Sequence, residues 1–492
     1  ASDDSLTFTG GLDTTSSSGT NLAGSIITSD NDIDFSGVTL NDDSTVKSGS
    51  GSVDFTTVTD GASAYALTLG DSLQTGAVTF SENLTINNLI TVGYSYDISL
   101  FGSSNVIDAD TTFANTGVIT LGNELTDSST FIGGLDTRSG STENVAGMIT
   151  TTDSIMDIGG AVLLANTTLS SGSAALNLTG SIDGAFSLTA NSSDVTSLIG
   201  PIGGTTKLGS LTTDSFGSLS IGAGVQVAGD IDINDPVTLT SSVTFQTIDS
   251  GTIDFASTVD GAQDLILNSQ GATTFNDAVG SIVPIGDGSG AAISFDSSGS
   301  TSFGSTLQTA SGITQSASAG IITFKDDVTT SVGDTANSFE SSLVFDGMIF
   351  NSGGVATFGS ENSDALTLSS GSVVITASNN DNLSFNSKID GAQSLTLNTS
   401  ATVEINGAIG SNTPISGLVS NAGGILDLGS DVSVAGNIDI DDAVVLSSAL
   451  ILTTSGSGSI DFASTVDGAH DLVLNSAGTT TFNDNVGSGA ST

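Results

Sequence analysis

The ten residues 253–262, Ile-Asp-Phe-Ala-Ser-Thr-Val-Asp-Gly-Ala, decide the fold because they return unchanged at 460–469. The similarity extends beyond them, since Thr-Thr-Phe-Asn-Asp at 273–277 returns at 480–484. Both pairs of segments are related by the same shift along the chain. Self-similarity at a fixed shift is the signature of a repeat architecture, in which one structural unit is stacked many times.

The tripeptide Asp-Gly-Ala marks the repeat modules. A more diverged copy opens the chain, where residues 7–14 are echoed by residues 130–137. No linker-like stretch separates the modules, so we expect one continuous solenoid over residues 1–492. Successive tripeptides begin 123, 77, 130 and 77 residues apart, at residues 60–62, 183–185, 260–262, 390–392 and 467–469.

Within each module the apolar residues recur with a period of two. Residues 230–234, Asp-Ile-Asp-Ile-Asn, place isoleucines on one side and polar groups on the other, as a half-buried strand does. Helical spacing is not sustained anywhere. Gly, Asn, Asp and Ser interrupt the apolar runs about every ten residues, which is typical of corners that need unusual backbone angles.

Tandem immunoglobulin-like sandwiches are the main alternative fold, because they also consist of many short strands. Such domains usually have a large aromatic core, whereas this chain has no Trp and only 5% aromatic residues. The unequal module lengths fit a stack to which whole coils of about 20–25 residues are added. The sequence therefore predicts an all-β, right-handed parallel β-helix of about 20–24 coils, about 100 Å long at about 4.8 Å per coil.

Charge excludes several classes of partner. The chain has 53 acidic and 5 basic residues, with a formal net charge of -48. Nucleic-acid affinity comes largely from Lys and Arg on phosphates, and anionic lipid surfaces attract the same residues. No run approaches the roughly 20 apolar residues that span a bilayer. We therefore expect neither a nucleic-acid partner nor a membrane span.

The modules resemble those of a known group of bacterial proteins. Ile-Asp-Phe-Ala-Ser-Thr-Val-Asp-Gly-Ala, then Leu-Ile-Leu-Asn, then Thr-Thr-Phe-Asn-Asp-Ala-Val-Gly, over residues 253–280, is similar to the repeats of filamentous-haemagglutinin-like and autotransporter-like β-strand-repeat surface proteins. The resemblance covers most of the chain. It implies a secreted, extracellular β-helical shaft for cell-surface adhesion, biofilm matrix or surface fibres.

The residue inventory predicts that the protein is not an enzyme. With one His and no Cys, the chain has almost none of the side chains that His-assisted nucleophilic catalysis and zinc sites require. His470 stands where related modules have Gln263 and Gln393, which indicates an exposed turn. A polysaccharide-binding or polysaccharide-cleaving β-helix is the alternative, because paired carboxylates support glycoside hydrolysis. An unrepeated cluster of acids with Arg or Trp would support that alternative, and the sequence does not display one.

Calcium is the expected cofactor, and the solvated acidic face is the alternative interpretation. Each of two related strand runs has several aspartates. We expect their carboxylate oxygens to share one face of the strand, and calcium prefers oxygen ligands. The candidate metal ligands are Asp230, Asp232, Asp235, Asp439, Asp441 and Asp442.

The expected function is structural. The chain begins within one module and stops within another, so we expect either a fragment of a longer repeat chain or a subunit that stacks end to end as a homopolymer. A rod or fibre for cell-surface adhesion, matrix or sheath is the predicted role, with surface glycans as further candidate partners.

Overall fold

The computed structural model describes residues 4–61, 63–70, 73–331, 333, 335–361, 363–421 and 423–487. Within these ranges the regular structure is β-strand, and no described residue is helical. The chain divides into two compact units, Ala1–Pro236 and Val237–Thr492. One continuous solenoid over residues 1–492 stays a prediction.

The first unit contains strands β1 to β26. In chain order they are Ser5–Phe8, Leu12–Asp13, Thr20–Thr28, Ile33–Lys47, Val53–Thr59, Ala66–Leu69, Val78–Phe80, Leu84–Ile86, Asn88–Thr91, Ile98–Leu100, Asn105–Ile107, Thr111–Thr112, Val118–Leu121, Ser128–Phe131, Leu135–Asp136, Thr142–Thr151, Met156–Ile158, Ala161–Ser170, Leu176–Leu178, Ile182–Asp183, Leu188–Asn191, Val195–Leu198, Leu211–Thr213, Ser218–Ile221, Val225–Val227 and Ile231–Ile233.

The second unit contains strands β27 to β58. In chain order they are Val237–Leu239, Val243–Thr247, Ile253–Phe255, Val259–Asp260, Leu265–Asn268, Thr273–Phe275, Ile293–Phe295, Thr301–Phe303, Leu307–Thr309, Ile313–Gln315, Ile322–Phe324, Val328–Thr330, Asn337–Phe339, Leu343–Asp346, Ile349–Ser352, Ala356–Phe358, Ala365–Ser370, Val373–Ala377, Leu383–Phe385, Lys388–Asp390, Ser394–Asn398, Thr402–Ile405, Gly417–Ser420, Ile425–Leu428, Val432–Val434, Ile438–Ile440, Ala443–Leu446, Leu450–Thr454, Ile460–Phe462, Val466–Asp467, Leu472–Asn475 and Thr480–Phe482.

Each unit is a parallel β-solenoid. Strands pair in parallel with strands one coil further along the chain, and the pairs stay in register; Ile253–Phe255, for example, lies against Thr273–Phe275. The step between paired residues varies from 18, between Ile425 and Ala443, to 28, between Leu265 and Ile293. The strands together form about 22 turns. The prediction of a parallel β-helix is confirmed, with coil lengths that vary more than the predicted 20–25 residues.

The core is a set of side-chain columns produced by this register. Along a strand the residues alternate between buried and partly exposed, so each inward side chain lies directly above its equivalent in the previous coil. In the second unit Phe255, Phe275, Phe303 and Phe324 form one stacked column, with ring centroids 4.7, 4.6 and 5.2 Å apart. Aromatic stacking of this kind adds to the burial of apolar area.

The Asp-Gly-Ala motif has a structural role at a coil corner. The buried Asp390 carboxylate accepts hydrogen bonds from the backbone nitrogens of Asn412 and Thr413, at 2.8 and 3.1 Å, in the following coil. Asp260 does the same for Ile282 and Val283, at 2.8 and 3.1 Å. The aspartate thus accepts hydrogen bonds from two backbone N–H groups at the point where the next coil departs from regular strand pairing.

The glycine of the motif is required by a close approach. Gly391 has a φ of +128°, and a Cβ there would lie 2.1 Å from the carbonyl oxygen of Leu368 in the preceding coil. The first copy of the motif is different, because Asp60 follows the strand Val53–Thr59 instead of ending one. Its carboxylate accepts from the backbone nitrogen of Asn87, at 2.8 Å. The tripeptide therefore marks one kind of corner at four of its five positions.

Asp390→Ala is expected to lower the free energy of unfolding by about 2–3 kcal/mol, because two backbone donors would lose a charged acceptor. Urea unfolding followed by circular dichroism measures the loss. Asp471→Ala is the control, since Asp471 is exposed and its removal should change stability by less than about 0.5 kcal/mol. Equal effects of the two substitutions would contradict the role assigned to the motif.

Candidate functional site

The predicted calcium ligands do not share one face of their strands. Asp230 is exposed and Asp232 is half-buried, both on the outer side of β26, whereas Asp235 is 1% exposed and points inward. The second run has the same arrangement. There Asp439 and Asp441 are exposed and Asp442 is buried.

Neither run therefore presents three carboxylates together. Within the described ranges no group of three or more His, Cys, Asp or Glu side chains is placed to hold a metal ion. Burial raises the pKa of Asp439, and the carboxylates of Asp441 and Asp461 raise it further. Calcium binding stays a prediction.

Asp235 and Asp442 occupy equivalent positions but have different surroundings. Asp442 accepts hydrogen bonds from the Ser420 hydroxyl, at 2.5 Å, and from the Gly424 backbone nitrogen, at 2.8 Å. Neither carboxylate oxygen of Asp235 has a hydrogen-bond partner among the described residues. Burial raises the pKa of Asp235 to about 6, against the opposing effect of the Thr213 hydroxyl. Asp235 is therefore a buried acid of the first unit that lies beside Thr213 but has fewer well-formed hydrogen bonds than Asp442.

A second group of charged side chains surrounds Arg138, the single arginine of the chain. Arg138 lies just after strand β15, Leu135–Asp136, and its Nη2 atom contacts the carboxylates of Asp136 at 2.7 Å and Asp157 at 3.1 Å. Asp157 follows Asp136 in the same column, because the two residues pair in parallel register. Hydrogen bonding to Arg138 lowers the pKa of Asp136. The guanidinium thus compensates the charge of two stacked aspartates.

The equivalent column near the start of the chain lacks this arginine. Asp13 pairs with Asp34, and Asp34 pairs with Asp54, in the same parallel register. Thr15 stands at the position equivalent to Arg138 and donates to Asp13. Burial raises the pKa of Asp34, and the neighbouring carboxylates of Asp54 and Asp13 raise it further. The arginine is therefore specific to the second copy.

Glu143, in strand β16 (Thr142–Thr151), is buried beside Arg138 with only 2% of its surface exposed. Its Oε2 atom accepts from the Thr137 hydroxyl at 2.7 Å, and its Oε1 atom accepts from the Gly159 backbone nitrogen at 3.1 Å. Burial raises the pKa of Glu143 to about 7, although both hydrogen bonds oppose the shift. Glu143 can therefore either donate or accept a hydrogen bond near neutral pH.

These side chains line an open cavity of about 230 Å³, which we call the Arg138 cleft. Glycines form much of its wall. A Cβ at Gly159 would lie 2.5 Å from Oε1 of Glu143, so the buried position of this acid requires a glycine there. The cleft is lined by Arg138, Gly140, Ser141, Thr142, Glu143, Gly159, Gly160, Ala161, Val162, Ser181 and Asp183.

The sequence prediction missed this cleft. It found no unrepeated cluster of acids with Arg, whereas the structure brings Arg138 together with Asp136, Asp157 and Glu143. The available signal was the echo of residues 7–14 at 130–137, which is followed by Thr in the first copy and by Arg in the second.

His470 is exposed, as predicted, and lies in a bend. The described residues contain no helix that could cross a membrane. Comparisons with protein-family models, with curated proteins and with solved structures find no match.

Proposed function

We propose that the protein is an extracellular structural protein whose stacked coils form a rod or fibre for cell-surface adhesion, matrix or sheath. The observation that carries the proposal is the parallel pairing of strands from coil to coil within each unit, which continues past local register shifts such as the one between Val145 and Gly147. Steps of 18 to 28 residues between paired strands leave room for corners but not for long inserted loops. A chain whose coils follow one another in this way is suited to support and display.

The charge distribution supports a solvated, extended role. The chain has 53 acidic residues and 5 basic ones, and its inward positions are occupied mainly by aliphatic and phenylalanine side chains. The acidic surface repels other copies at the flanks and keeps the protein soluble. Lateral aggregation of the sheets is thereby disfavoured.

End-to-end stacking with a second copy, or with a continuation of the repeat chain, is the proposed partner interaction. Phe482 is 40% exposed, whereas Phe275, which occupies the equivalent place in the earlier module, is fully buried beneath the next coil. Leu472 and Leu474 are half-buried where their equivalents Leu265 and Leu267 are buried. A further coil would cover all three side chains and pair the open strand edge.

Electron microscopy of the purified chain tests both statements. We expect narrow rods, which join into longer fibres as the protein concentration rises. Globular particles would contradict the rod. Phe482→Asp should shorten the fibres because it places a charge at the apolar end, whereas Phe216→Asp, at a 67% exposed position, should leave them unchanged. Fibres of equal length in the two variants would refute stacking through this edge.

A further inference from the structure

The two copies of the N-terminal module can be compared residue by residue, because they share one register. Leu12 pairs with Ile33 in the first copy, and Leu135 pairs with Met156 in the second. In the next strand Thr20 pairs with Val38, and Glu143 pairs with Ala161. Residues 12–38 and 135–161 are therefore structurally equivalent. Differences between them show which side chains have changed at equivalent positions.

Three of these differences remove volume at the Arg138 cleft. In the first copy the hydroxyls of Ser17 and Ser36 lie 3.1 Å apart and occupy the space between neighbouring coils. Glycines replace both residues in the second copy, and an alanine replaces a valine. The pairs are Ser17 and Gly140, Ser36 and Gly159, and Val38 and Ala161.

Two further differences place ionisable side chains beside the space that these smaller residues leave. In the first copy Thr20 donates to the hydroxyl of Thr14, at 3.1 Å. Glu143 replaces Thr20 in the second copy, and Arg138 replaces Thr15. Small residues and directional polar groups thus occur together at the cleft in the second copy. This combination is what a small-molecule site requires.

We propose that the Arg138 cleft binds one neutral sugar unit of a glycan. Its volume of about 230 Å³ lies below the roughly 300–1,000 Å³ of pockets that enclose drug-sized ligands, so it suits a single ring. Ser141 and Ser181 offer hydroxyls, Glu143 and Asp183 offer carboxyl oxygens, and Arg138 offers N–H donors. Such a mixture of donors and acceptors matches a ligand that carries several hydroxyl groups.

Charge selects neutral sugars over acidic ones. One guanidinium faces four acidic side chains, and it already contacts Asp136 and Asp157. The side chain of Arg138 is half exposed, so its outer N–H groups remain accessible to a ligand. A uronate or other anionic sugar would meet the Asp183 carboxylate at the wall of the cleft, where the single guanidinium is already engaged by Asp136 and Asp157, and would be repelled. The site goes beyond the structural role, since its loss leaves the coils intact.

Binding of the full chain to immobilised oligosaccharides tests the proposal. The probes are neutral oligomers of glucose, galactose, mannose and N-acetylglucosamine, with oligogalacturonate as the acidic comparison. We expect at least one neutral oligomer to bind and oligogalacturonate not to bind. Binding of oligogalacturonate alone, or of no neutral oligomer, would overturn the proposal.

A swap between the two copies gives a matched variant. Replacing the five residues of the second copy by those of the first should weaken binding at least tenfold, and it introduces side chains that the first copy holds at the equivalent positions. The variant carries R138T, G140S, E143T, G159S and A161V. The reciprocal variant, with T15R, S17G, T20E, S36G and V38A, should bind the same sugar at a second site.

A single substitution keeps the proposal testable if the five-residue swap variant does not fold. Ser141 is exposed at the edge of the cleft, and Ser141→Trp should obstruct the ligand without disturbing the core. Circular dichroism and electron microscopy identify variants that have lost the fold or the rod. Unweakened binding by folded Ser141→Trp and folded swap variants would place the sugar elsewhere and refute the proposal, whatever the outcome for the rod.

Discussion

Phe275→Ala is expected to lower the free energy of unfolding by about 3–5 kcal/mol, the usual cost of deleting a fully buried ring. Phe275 lies between Phe255 and Phe303, with centroids 4.7 and 4.6 Å away and nearly parallel planes. Its removal leaves a cavity and eliminates two stacking contacts at once. The register holds the backbone of each coil in its ladder, so neighbouring coils cannot collapse into the space. Urea unfolding measures the loss.

Phe216→Ala is the matched control for this substitution. Phe216 is 67% exposed, so its truncation removes the same atoms without creating a buried cavity. We expect a change of less than about 0.5 kcal/mol. Similar losses in the two variants would show that the aromatic column does not stabilise the second unit in the way that its geometry indicates.

The repeat pattern was sufficient to predict the fold. Residues 253–255 alternate in polarity, and the structure places Ile253 and Phe255 in the core with Asp254 between them on the outside. Because parallel strands stay in register from coil to coil, the alternation fixes which side chains form the columns. The length of each coil was not predictable in the same way, since corners tolerate insertions that leave the strands unchanged.

The shared-face premise behind the calcium prediction did not follow the parity of the strands. Asp235 is two residues beyond Ile233 and four beyond Ile231, so the period of two places it inward with them. Asp230 and Asp232 are in the opposite phase and lie outside. Strict use of the alternation would have predicted a buried acid at Asp235. Its weaker hydrogen bonding, compared with that of Asp442, could not be read from the sequence, because it depends on residues of neighbouring coils.

The Arg138 cleft was beyond prediction for a different reason. Its polar groups come from neighbouring coils, at Arg138, Glu143, Gly159 and Asp183, and they meet only because of the register between strands. The sequence shows that Arg138 and Glu143 are close along the chain. It does not show that glycines line the cleft beside them. Only the comparison between two copies of known register shows that small residues and charged residues have changed at the same place.

The stability of the first unit is expected to decrease as the pH rises towards 7, because of Glu143. Burial raises the pKa of Glu143 from 4.5 to about 7. Below pH 4.5 the acid is protonated in both the folded and the unfolded chain, and its favourable contribution is complete. Between pH 4.5 and 7 the unfolded chain releases the proton while the folded chain retains it, so the free energy of unfolding falls by about 3 kcal/mol. Above pH 7 the loss is complete.

Glu143→Gln isolates this effect from the general repulsion of a chain with a net charge of -48. The glutamine oxygen can accept from the Gly159 nitrogen, as Oε1 of Glu143 does, and its amide can donate to Thr137 in place of a protonated carboxyl. Arg138 and Asp183 line the same space in both proteins, Asp136 contacts Arg138 in both, and Asp235 titrates in both. The stability of the parent chain relative to the variant should therefore fall between pH 4.5 and 7 and be constant outside that interval. Parallel pH profiles would mean that Glu143 has the same pKa in the folded and the unfolded chain, and that the cleft admits enough water to solvate its charge.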